Sequence, residues 1–440
     1  MPNQESQKMT LAVTGETLCT RRHSRFTDKA FMDLVARIRE ADCAQTNLET
    51  RIHTFKGYPM PVDTMGSAQS YQQADPFVAQ ELKWMGFDMI ARSNNHGMDY
   101  GPAMLKEEAE HLDAAGFVHA GAGMTMSEAT QPAYFETPMG RVALISVTTD
   151  FPPHCPAGEQ RHDIGGRPGV NTLHIDKRFT LSSDDFAHMR GMIEQFELPR
   201  AIRETKLNAF GEVFHADDTT EVTYTPRQSD LDRNLRQIRE AKRAADYVMV
   251  HLHQATRTKH RPADHIQELS HALIDGGASI IVGDGPHLLQ GIEIYKGAPI
   301  FYSLGNFFYQ SETIKLFPAD FYERNGLGPE ATPQDALDER DAIRSGKKVV
   351  DNTVAGRTGD SYMRWFETML AEVDFDGDRL SEIRLTPLWT HHDKRSQRGL
   401  PRVADAEKGT EILENMRRYS QEFGTEISIS DGRGVISVPT

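Results

Sequence analysis

Five short polar clusters carry residue types that bind metals and move protons. One cluster alone is weak evidence, because a glutamate after a strand is usually solvated and a lone histidine is usually structural. Together they supply carboxylates, amide oxygens and imidazoles, which suit divalent ions such as Zn, Mn or Fe. The clusters are Thr14-Gly15-Glu16, Thr46-Asn47-Leu48-Glu49, Ser93-Asn94-Asn95-His96, His251-Leu252-His253 and Gly283-Asp284-Gly285-Pro286-His287.

Apolar runs of strand length alternate with stretches of helical periodicity, and this pattern places each cluster at the end of a strand. The ends of parallel strands are where α/β sheets bind ligands. Helices are predicted at residues 29–40, 75–85, 103–115, 230–245 and 264–274, and strands at 11–14, 88–92, 142–147, 247–251, 279–282 and 299–304. The alternation favours a layered α/β fold.

Two polar stretches, residues 151–228 and 310–362, interrupt this alternation. We interpret both as insertions that wall or cover a site. The core is therefore predicted over residues 10–309 with the first insertion inside it, and residues 310–362 form an insertion or lid. Residues 363–440 complete the same domain with a hairpin at 369–375 and 380–388, a helix at 406–423 and a final short strand.

Composition excludes several classes of protein. The chain of 440 residues has 49 basic and 64 acidic side chains, a net charge of −15, which argues against nucleic-acid binding. Its apolar runs fall well short of the roughly twenty residues that a membrane span needs, and its polar start lacks the pattern of a secretory signal. We therefore expect a cytoplasmic protein without a membrane anchor. Three cysteines cannot form a disulfide framework, and we find no Walker A, HExxH or GxSxG motif.

The order and spacing of the clusters resemble the CapA or PgsA family of poly-γ-glutamate capsule proteins, which belongs to the calcineurin-like metallophosphatase superfamily. The resemblance covers residues 10–425 and implies a layered α/β/β/α metallophosphatase-like sandwich with two long insertions. The matching segments are Gly15-Glu16, Asn47-Leu48-Glu49, Asn94-Asn95-His96 with Asp99, His253, and residues 283–287 followed by Ser303-Leu304-Gly305-Asn306-Phe307.

The resemblance implies a site for divalent metal ions, with two ions as the expected number. Glu16 would bind the first metal, Glu49 would bridge the two, and Asn95 would bind the second through its amide oxygen. His253 and His287 would complete the set of ligands. A water between two such metals loses its proton near neutral pH and attacks a phosphoryl or carbonyl centre.

His96 and Asp99 are the residues to which the resemblance assigns catalysis. His96 would act as a general acid or stabilise charge, and Asp99, one helical turn away, would fix its tautomer. The alternative for His96 is a histidine that only caps the start of a helix.

Three departures from the family pattern bear on the metal site. Glu16 stands where the family has Asp, which moves the carboxylate one methylene further from the backbone. Asp284 replaces the first histidine of the Gly-His-His-Pro-His run, and Gln254-Ala255 replaces the Trp-Gly after His253. With Asp284 as a ligand the site is richer in oxygen and tolerates Mn or Mg better than a histidine-rich site does. Without it, the chain binds one metal or none.

Polar and basic residues near these clusters are predicted to hold an anionic substrate. Arginine can clamp a carboxylate or phosphate, and amides can support it by hydrogen bonding. His154 and His162 in the first insertion are further candidates. The predicted substrate-binding residues are Arg21, Arg22, Arg25, Arg167, Asn47 and Asn94.

Three functions remain open at this stage. The first is a metal-dependent hydrolase that cleaves a phosphoester or a carboxylate-bearing amide or ester of a small anionic substrate. The second is an accessory protein for poly-γ-glutamate biosynthesis or export, and the third is a degenerate module that binds a ligand without chemistry. The expected partner is a small anionic molecule, and a homo-oligomer is compatible with the sequence.

Overall fold

The computed structural model describes residues 8–61, 71–196, 201–254, 260–344, 360–392 and 394–438. Residues 345–359 of the predicted insertion 310–362 lie outside the described residues. The strands are β1 (Lys8–Leu18), β2 (Cys43–Leu48), β3 (Met89–Ala91), β4 (Val118–Ala120), β5 (Ala122–Gly123), β6 (Ala133–Thr137), β7 (Gly140–Thr148), β8 (Gly169–Val170), β9 (Ile175–Leu181), β10 (Lys206–Ala209), β11 (Glu212–Ala216), β12 (Glu221–Pro226), β13 (Tyr247–His253), β14 (Ile280–Asp284), β15 (Ile292–Tyr295), β16 (Ala298–Phe301), β17 (Asn306–Tyr309), β18 (Glu367–Asp376), β19 (Arg379–Trp389), β20 (Arg402–Val403), β21 (Ser428–Ser430) and β22 (Arg433–Ser437).

Eleven α-helices lie in the part of the chain that the structure describes. They are α1 (Lys29–Glu40), α2 (Phe77–Met85), α3 (Gly101–Ala114), α4 (Met126–Ala129), α5 (Ser183–Gln195), α6 (Gln228–Ala244), α7 (Asp264–Asp275), α8 (Ala319–Arg324), α9 (Pro333–Arg344), α10 (Asp360–Met363) and α11 (Ala406–Gln421). None of these helices has the length and hydropathy that a membrane span requires.

The chain separates into two compact units. The larger comprises residues 1–172 and 233–440, and the smaller comprises residues 173–232. The smaller unit contains a four-stranded sheet in the order β10–β11–β9–β12. Helix α5 packs on that sheet through a cluster that includes Phe186, Ile193 and Leu207. Most of this unit lies in the stretch 151–228, which interrupts the alternation predicted from the sequence.

The larger unit is built on two sheets with a shared core. One sheet has ten strands, with β1 between β18 and β2, and the other has six in the order β15–β16–β14–β13–β7–β6. Leu11 and Val13 of β1 belong to an apolar cluster that also contains Leu144 of β7 and Val282 of β14. Because side chains alternate along a strand, Ala12 joins a second cluster on the opposite face.

Helices cover the outer faces of both sheets. On the ten-stranded sheet, the helix predicted at residues 29–40 is α1, which buries Phe31, Leu34, Val35 and Ile38 along one face. Asp28 caps this helix by accepting a hydrogen bond from the backbone N–H of Phe31. Helix α7 packs against β14 of the six-stranded sheet. The layered α/β sandwich is thereby confirmed.

Candidate metal centre

The polar clusters meet because several parallel strands of the larger unit end at the same place. Strand β1 lies parallel to β2 and β17, and Glu16 is level with Asn47 and with Asn306 in these ladders. In the six-stranded sheet β13 lies parallel to β14, and His253 is level with Asp284. The carboxyl ends of strands from both sheets therefore surround one site.

Two glycines permit this close approach. A Cβ atom at Gly15 would collide with the carbonyl oxygen of Gly305, so only glycine lets β1 pass there. Gly285 has a φ of +109°, and a Cβ atom on it would collide with the carbonyl of Gln254. The N–H of Gly285 donates a hydrogen bond to Oε1 of Glu16, which ties the two sheets together at the site.

Glu16, His253 and Asp284 form the first group of potential metal ligands. One ligand atom from each lies within 4.8 Å of the others, and all three side chains are buried. Nδ1 of His253 lies 2.8 Å from Oδ1 of Asp284. The structure thus places Asp284 beside Glu16 and His253, two of the predicted metal ligands.

Glu16, Glu49 and His287 form a second group, again within 4.8 Å of one another. Glu16 is therefore the carboxylate that both groups share, whereas Glu49 belongs to the second group alone. The resemblance implied the reverse arrangement, with Glu49 as the bridge. Which carboxylate would bridge two metals stays a prediction.

Unpartnered oxygen atoms support a fit to cations. Among the described residues, Oε2 of Glu49 and Oδ1 of Asn95 are buried without a hydrogen-bond partner. Buried oxygens without donors are costly unless a cation or water satisfies them. Oxygen and imidazole donors together match the preferences of Zn, Mn and Fe. The residues present therefore fit divalent metal ions.

The charges of the site lead to the same conclusion. Burial and then the charge of Asp284 raise the pKa of Glu16 to about 7. Burial and then the charge of Glu16 raise the pKa of Glu49 to about 8. Without a metal, both carboxyl groups therefore ionise less readily than they would in water. A cation between them would stabilise the ionised forms and lower both pKa values.

Asp284 is the acid that stays ionised. Burial on its own would raise the pKa of Asp284, but His251 and His253 outweigh it and hold this pKa well below its usual value. Burial would lower the pKa of His253, yet the hydrogen bond and charge of Asp284 raise it to about 9. The two side chains form a buried ion pair beside Glu16.

His96 stands next to the second group, on the loop that follows β3. Its Nδ1 lies 2.7 Å from Oδ2 of Asp99, and its Nε2 lies 3.8 Å from Oε1 of Glu49. Asp99 is held in turn by the backbone N–H of Gln72. The proton on Nδ1 is thereby fixed, and Nε2 faces the carboxylates, where it is able to accept or donate a proton.

The structure gives the predicted substrate-binding residues other contacts. Arg21 donates hydrogen bonds to the carbonyls of Arg395 and Arg398, and Arg22 pairs with Glu81. Arg25 is exposed, as are Arg167 and His162, and the Nε of Arg167 donates to the carbonyl of Pro156. None of these contacts involves a candidate metal ligand, so their role in substrate binding stays a prediction.

Asn47 and Asn94 are hydrogen-bonded to each other beside the candidate metal ligands. Nδ2 of Asn94 donates to Oδ1 of Asn47 and to the carbonyl of Leu48, 3.0 Å from each. Oδ1 of Asn94 accepts from the N–H of His96. Because its amide is used in this way, Asn94 positions Glu49 and His96, and its predicted contact with substrate stays untested.

Three residues near the site were not assigned from the sequence. His251 lies 3.0 Å from Asp284 through Nε2 and 3.1 Å from the Ser146 hydroxyl through Nδ1. Its position two residues before His253 on a strand was the available signal, since such residues share a face. Asn306 contacts His287, and Trp365 stacks on the His287 ring at 4.7 Å. Trp365 is remote in sequence and gave no signal.

Comparisons with known proteins identify relatives of this chain. The model of the family described as bacterial capsule synthesis protein PGA_cap matches residues 10–311. An uncharacterised protein of Sinorhizobium fredii, y4sH, is 32% identical over 97% of this chain and 92% of its own length. The PGA biosynthesis protein CapA of Bacillus subtilis is 24% identical over 81% of this chain and 78% of its own length.

A solved structure of a hypothetical protein from Thermus thermophilus covers 86% of this chain and 98% of its own, with 12% identity. Its TM-score of 0.35 is too low to add to the argument. The family model and the Sinorhizobium relative are sufficient, and the resemblance seen in the sequence is confirmed. The chain belongs to the bacterial capsule synthesis protein family PGA_cap.

Proposed function

We propose that this chain is a metal-dependent hydrolase that cleaves a phosphoester, or a carboxylate-bearing amide or ester, in a small anionic substrate. The observation that carries the proposal is the pair of ligand groups that share Glu16, with His96 directly beside them. Adjacent ligand sets and a histidine with a fixed tautomer are what hydrolysis by activated water requires.

The residues of the two groups would hold the metal ions. Glu16, His253 and Asp284 provide one set, and Glu16, Glu49 and His287 provide the other. Divalent ions bound there would lower the pKa of a water molecule and draw electron density from a phosphoryl or carbonyl oxygen of the substrate. Mn, Zn and Fe are the candidates that these ligand types favour.

His96 supplies the proton transfer. Asp99 keeps Nδ1 protonated and fixes the ring, so Nε2 is the atom that exchanges a proton with the leaving group. Because His96 is only 5% exposed, water competes weakly with the substrate for Nε2. The burial of Glu16, Glu49 and Asp284 likewise keeps bulk water from the carboxylates.

The test combines elemental analysis with activity screens on phosphoesters and on γ-glutamyl amides, with Mn, Zn or Fe added. We expect bound metal in the wild type, loss of metal in His253→Ala and His287→Ala, and retention of metal in His96→Asn. His96→Asn should lose about a hundredfold or more in turnover, the usual contribution of a general acid or base. His188→Asn, at an exposed histidine on α5, is the matched control.

Absence of metal in the wild type, with no rescue by added ions, would refute the proposal and leave ligand binding without chemistry. Unchanged metal in both ligand variants would show that the ligands are assigned wrongly. Full turnover in His96→Asn would remove this histidine from the mechanism while leaving the metal site intact.

A second candidate function is a role in poly-γ-glutamate capsule biosynthesis. It is favoured by the names of two relatives, the PGA biosynthesis protein CapA of Bacillus subtilis and the capsule biosynthesis protein CapA of Bacillus anthracis. The net charge of −15 opposes tight binding of a polyanion. Fractionation of cells tests this role, which predicts that the protein is found with the membrane, whereas our proposal expects it in the cytoplasm.

A further inference from the structure

A serine and a histidine are buried next to the first group of potential metal ligands. Ser146 on β7 and His251 on β13 are level in neighbouring parallel strands, and both are buried. Because side chains alternate along a strand, Ser146 shares its face with Leu144, which belongs to the core between the two sheets. The Ser146 hydroxyl lies 3.1 Å from Nδ1 of His251, and Nε2 of His251 lies 3.0 Å from Oδ2 of Asp284. The three side chains form a continuous hydrogen-bonded chain that ends on a candidate metal ligand.

The surroundings of Ser146 hold its hydroxyl oxygen in one place. Gly121 has a φ of +102°, and a Cβ atom on it would lie 2.7 Å from Cβ of Ser146 and 2.9 Å from Cβ of Ser93. This glycine therefore makes room for both serines. The N–H of Ser93 donates to the Ser146 hydroxyl oxygen at 3.1 Å, and Nδ2 of Asn171 donates to the Ser146 carbonyl at 3.0 Å.

The donors and acceptors of this chain have one consistent arrangement. The Ser146 oxygen accepts from the N–H of Ser93, so the hydroxyl proton is available for Nδ1 of His251. A carboxylate only accepts hydrogen bonds, so Nε2 of His251 carries the ring proton and donates it to Oδ2 of Asp284. Every polar atom between Ser93 and Asp284 is then satisfied.

The two oxygens of Asp284 have different neighbours. Oδ2 accepts from His251, which belongs to neither group of potential ligands. Oδ1 lies 2.8 Å from Nδ1 of His253, a member of the same group as Asp284. The hydrogen bond at Oδ2 therefore fixes the carboxylate with Oδ1 on the side of the other ligands.

We propose that His251 and Ser146 are positioning residues for the metal ion that Glu16, His253 and Asp284 would hold. The N–H at Nε2 of His251 fixes Oδ2 of Asp284 and leaves Oδ1 for the cation, while the Ser146 hydroxyl fixes the His251 ring. The inference rests on the metal site of the proposed function. Groups that orient metal ligands in this way typically change the affinity by about tenfold to a hundredfold when they are removed.

The first test removes the donor to Asp284 and then restores it. His251→Leu should weaken Mn binding by about tenfold or more. His251→Asn and His251→Gln each supply an N–H donor at a different reach, and at least one of them should bind Mn more tightly than His251→Leu does. Calorimetric titration with Mn alone measures all four proteins. His271→Leu is the matched control, because His271 also contacts a buried carboxylate, that of Glu293 at 2.9 Å, outside both ligand groups.

The second test removes the hydroxyl that orients the ring. Ser146→Ala should weaken Mn binding by about threefold, the usual worth of one hydrogen bond. Ser270→Ala, which removes another buried hydroxyl, within α7, is the matched control and should bind Mn like the wild type. Unfolding in urea of the metal-free variants separates the two roles, since a purely structural role lowers stability and leaves the Mn affinity unchanged.

The third test reads the position of the proton without any metal. Long-range ¹H–¹⁵N NMR on metal-free protein labelled at histidine distinguishes a proton on Nε2 from one on Nδ1, and the signal of His251 is identified by its loss in His251→Gln. We expect the proton on Nε2. A ring whose only proton is on Nδ1 would overturn the inference.

The outcomes separate this inference from the proposed function. Equal Mn affinity in the wild type and in His251→Leu refutes the inference and leaves the proposed function standing. An equal loss in all three His251 variants also overturns it, because the N–H donor would then have no effect of its own. A wild type that binds no metal refutes the proposed function and this inference together.

Discussion

Two fully buried glutamates of the larger unit, Glu49 and Glu108, show how partners decide what burial does to a charge. Burial and the charge of the neighbouring Glu16 carboxylate together raise the pKa of Glu49 to about 8. Burial would also raise the pKa of Glu108, but Arg51 and Arg92 outweigh it and lower this pKa. The ionised form of a buried glutamate is therefore destabilised at Glu49 and stabilised at Glu108.

The contacts of the two glutamates match this difference. Oε2 of Glu108 lies 2.9 Å from Nε of Arg92 and 3.3 Å from Nη1 of Arg51, and its Oε1 accepts from the N–H of Ile52. Oε2 of Glu49 has no hydrogen-bond partner among the described residues. Glu108 has a structural role, because other side chains of the fold neutralise its carboxylate. Glu49 is a candidate for function, because no cationic side chain does the same for its carboxylate.

The largest predicted effect comes from breaking the scaffold cluster. Glu108→Gln leaves Arg51 and Arg92 buried without their counter-charge and should destabilise the metal-free protein by about 3–5 kcal/mol. Equilibrium unfolding in urea measures the loss. Glu110→Gln, exposed on the same helix, is the control and should change stability by about 0.5 kcal/mol or less. A loss below about 1 kcal/mol in Glu108→Gln would contradict the comparison.

The second prediction is that the contributions of the two glutamates to folding stability change with pH in opposite directions. The pKa of Glu49 is about 8 in the folded protein and about 4.3 when unfolded. Between these values the folded state binds more protons, so Glu49 makes the metal-free protein less stable as pH rises. Glu49→Gln should remove this trend and be more stable than the wild type by several kcal/mol above pH 8.

Unfolding in urea across pH, in the presence of a chelator, measures this difference. Because the pKa of Glu108 is lowered, its contribution is lost instead as pH falls. Equal pH profiles for Glu49→Gln and the wild type would show that Glu49 already has a partner in the metal-free protein. Added metal should abolish the advantage of Glu49→Gln, since the cation supplies the missing charge.

The sequence predicted the parts of the site that follow from strand periodicity. His253 and Asp284 come together because β13 and β14 are parallel neighbours that end at one edge of their sheet, a rule that needs no knowledge of the fold. Glu16 lies on the other sheet, so its approach to them depends on how the two sheets pack. The stripe of α1 was predictable for a similar reason, since its period is local. The role of each as a metal ligand stays a prediction.

Contacts between distant segments could not be predicted. Arg21 is held by carbonyls almost four hundred positions away, at Arg395 and Arg398, so its charge gave no information about its partner. The sheet of the smaller unit was also missed, because β12 is exposed on both faces and lacks the alternation that identifies a half-buried strand.

The smallest predicted effect concerns Asn306, whose contacts set the tautomer of His287. Nδ2 of Asn306 donates to the carbonyl of Trp365 at 2.9 Å, so its Oδ1 faces Nδ1 of His287 at 2.8 Å. The other neighbour of this nitrogen, Oε2 of Glu16, is also an acceptor. With acceptors on both sides, Nδ1 of His287 carries the proton in the metal-free protein, and the contacts with Asn306 and Trp365 fix the orientation of the ring. Asn306→Ala should weaken metal binding about tenfold, while Trp365 still stacks on the ring.

Calorimetric titration with Mn or Zn measures this change, and Asn306→Asp makes the test specific. Aspartate keeps an acceptor for Nδ1 of His287 but loses the donor to Trp365. If the acceptor matters, Asn306→Asp retains the affinity that Asn306→Ala loses. If both variants lose it equally, the contact with Trp365 is what positions the ring. Asn325→Ala, which removes an amide from the end of α8, should leave metal binding unchanged, because its contact lies in a different part of the chain from the two ligand groups.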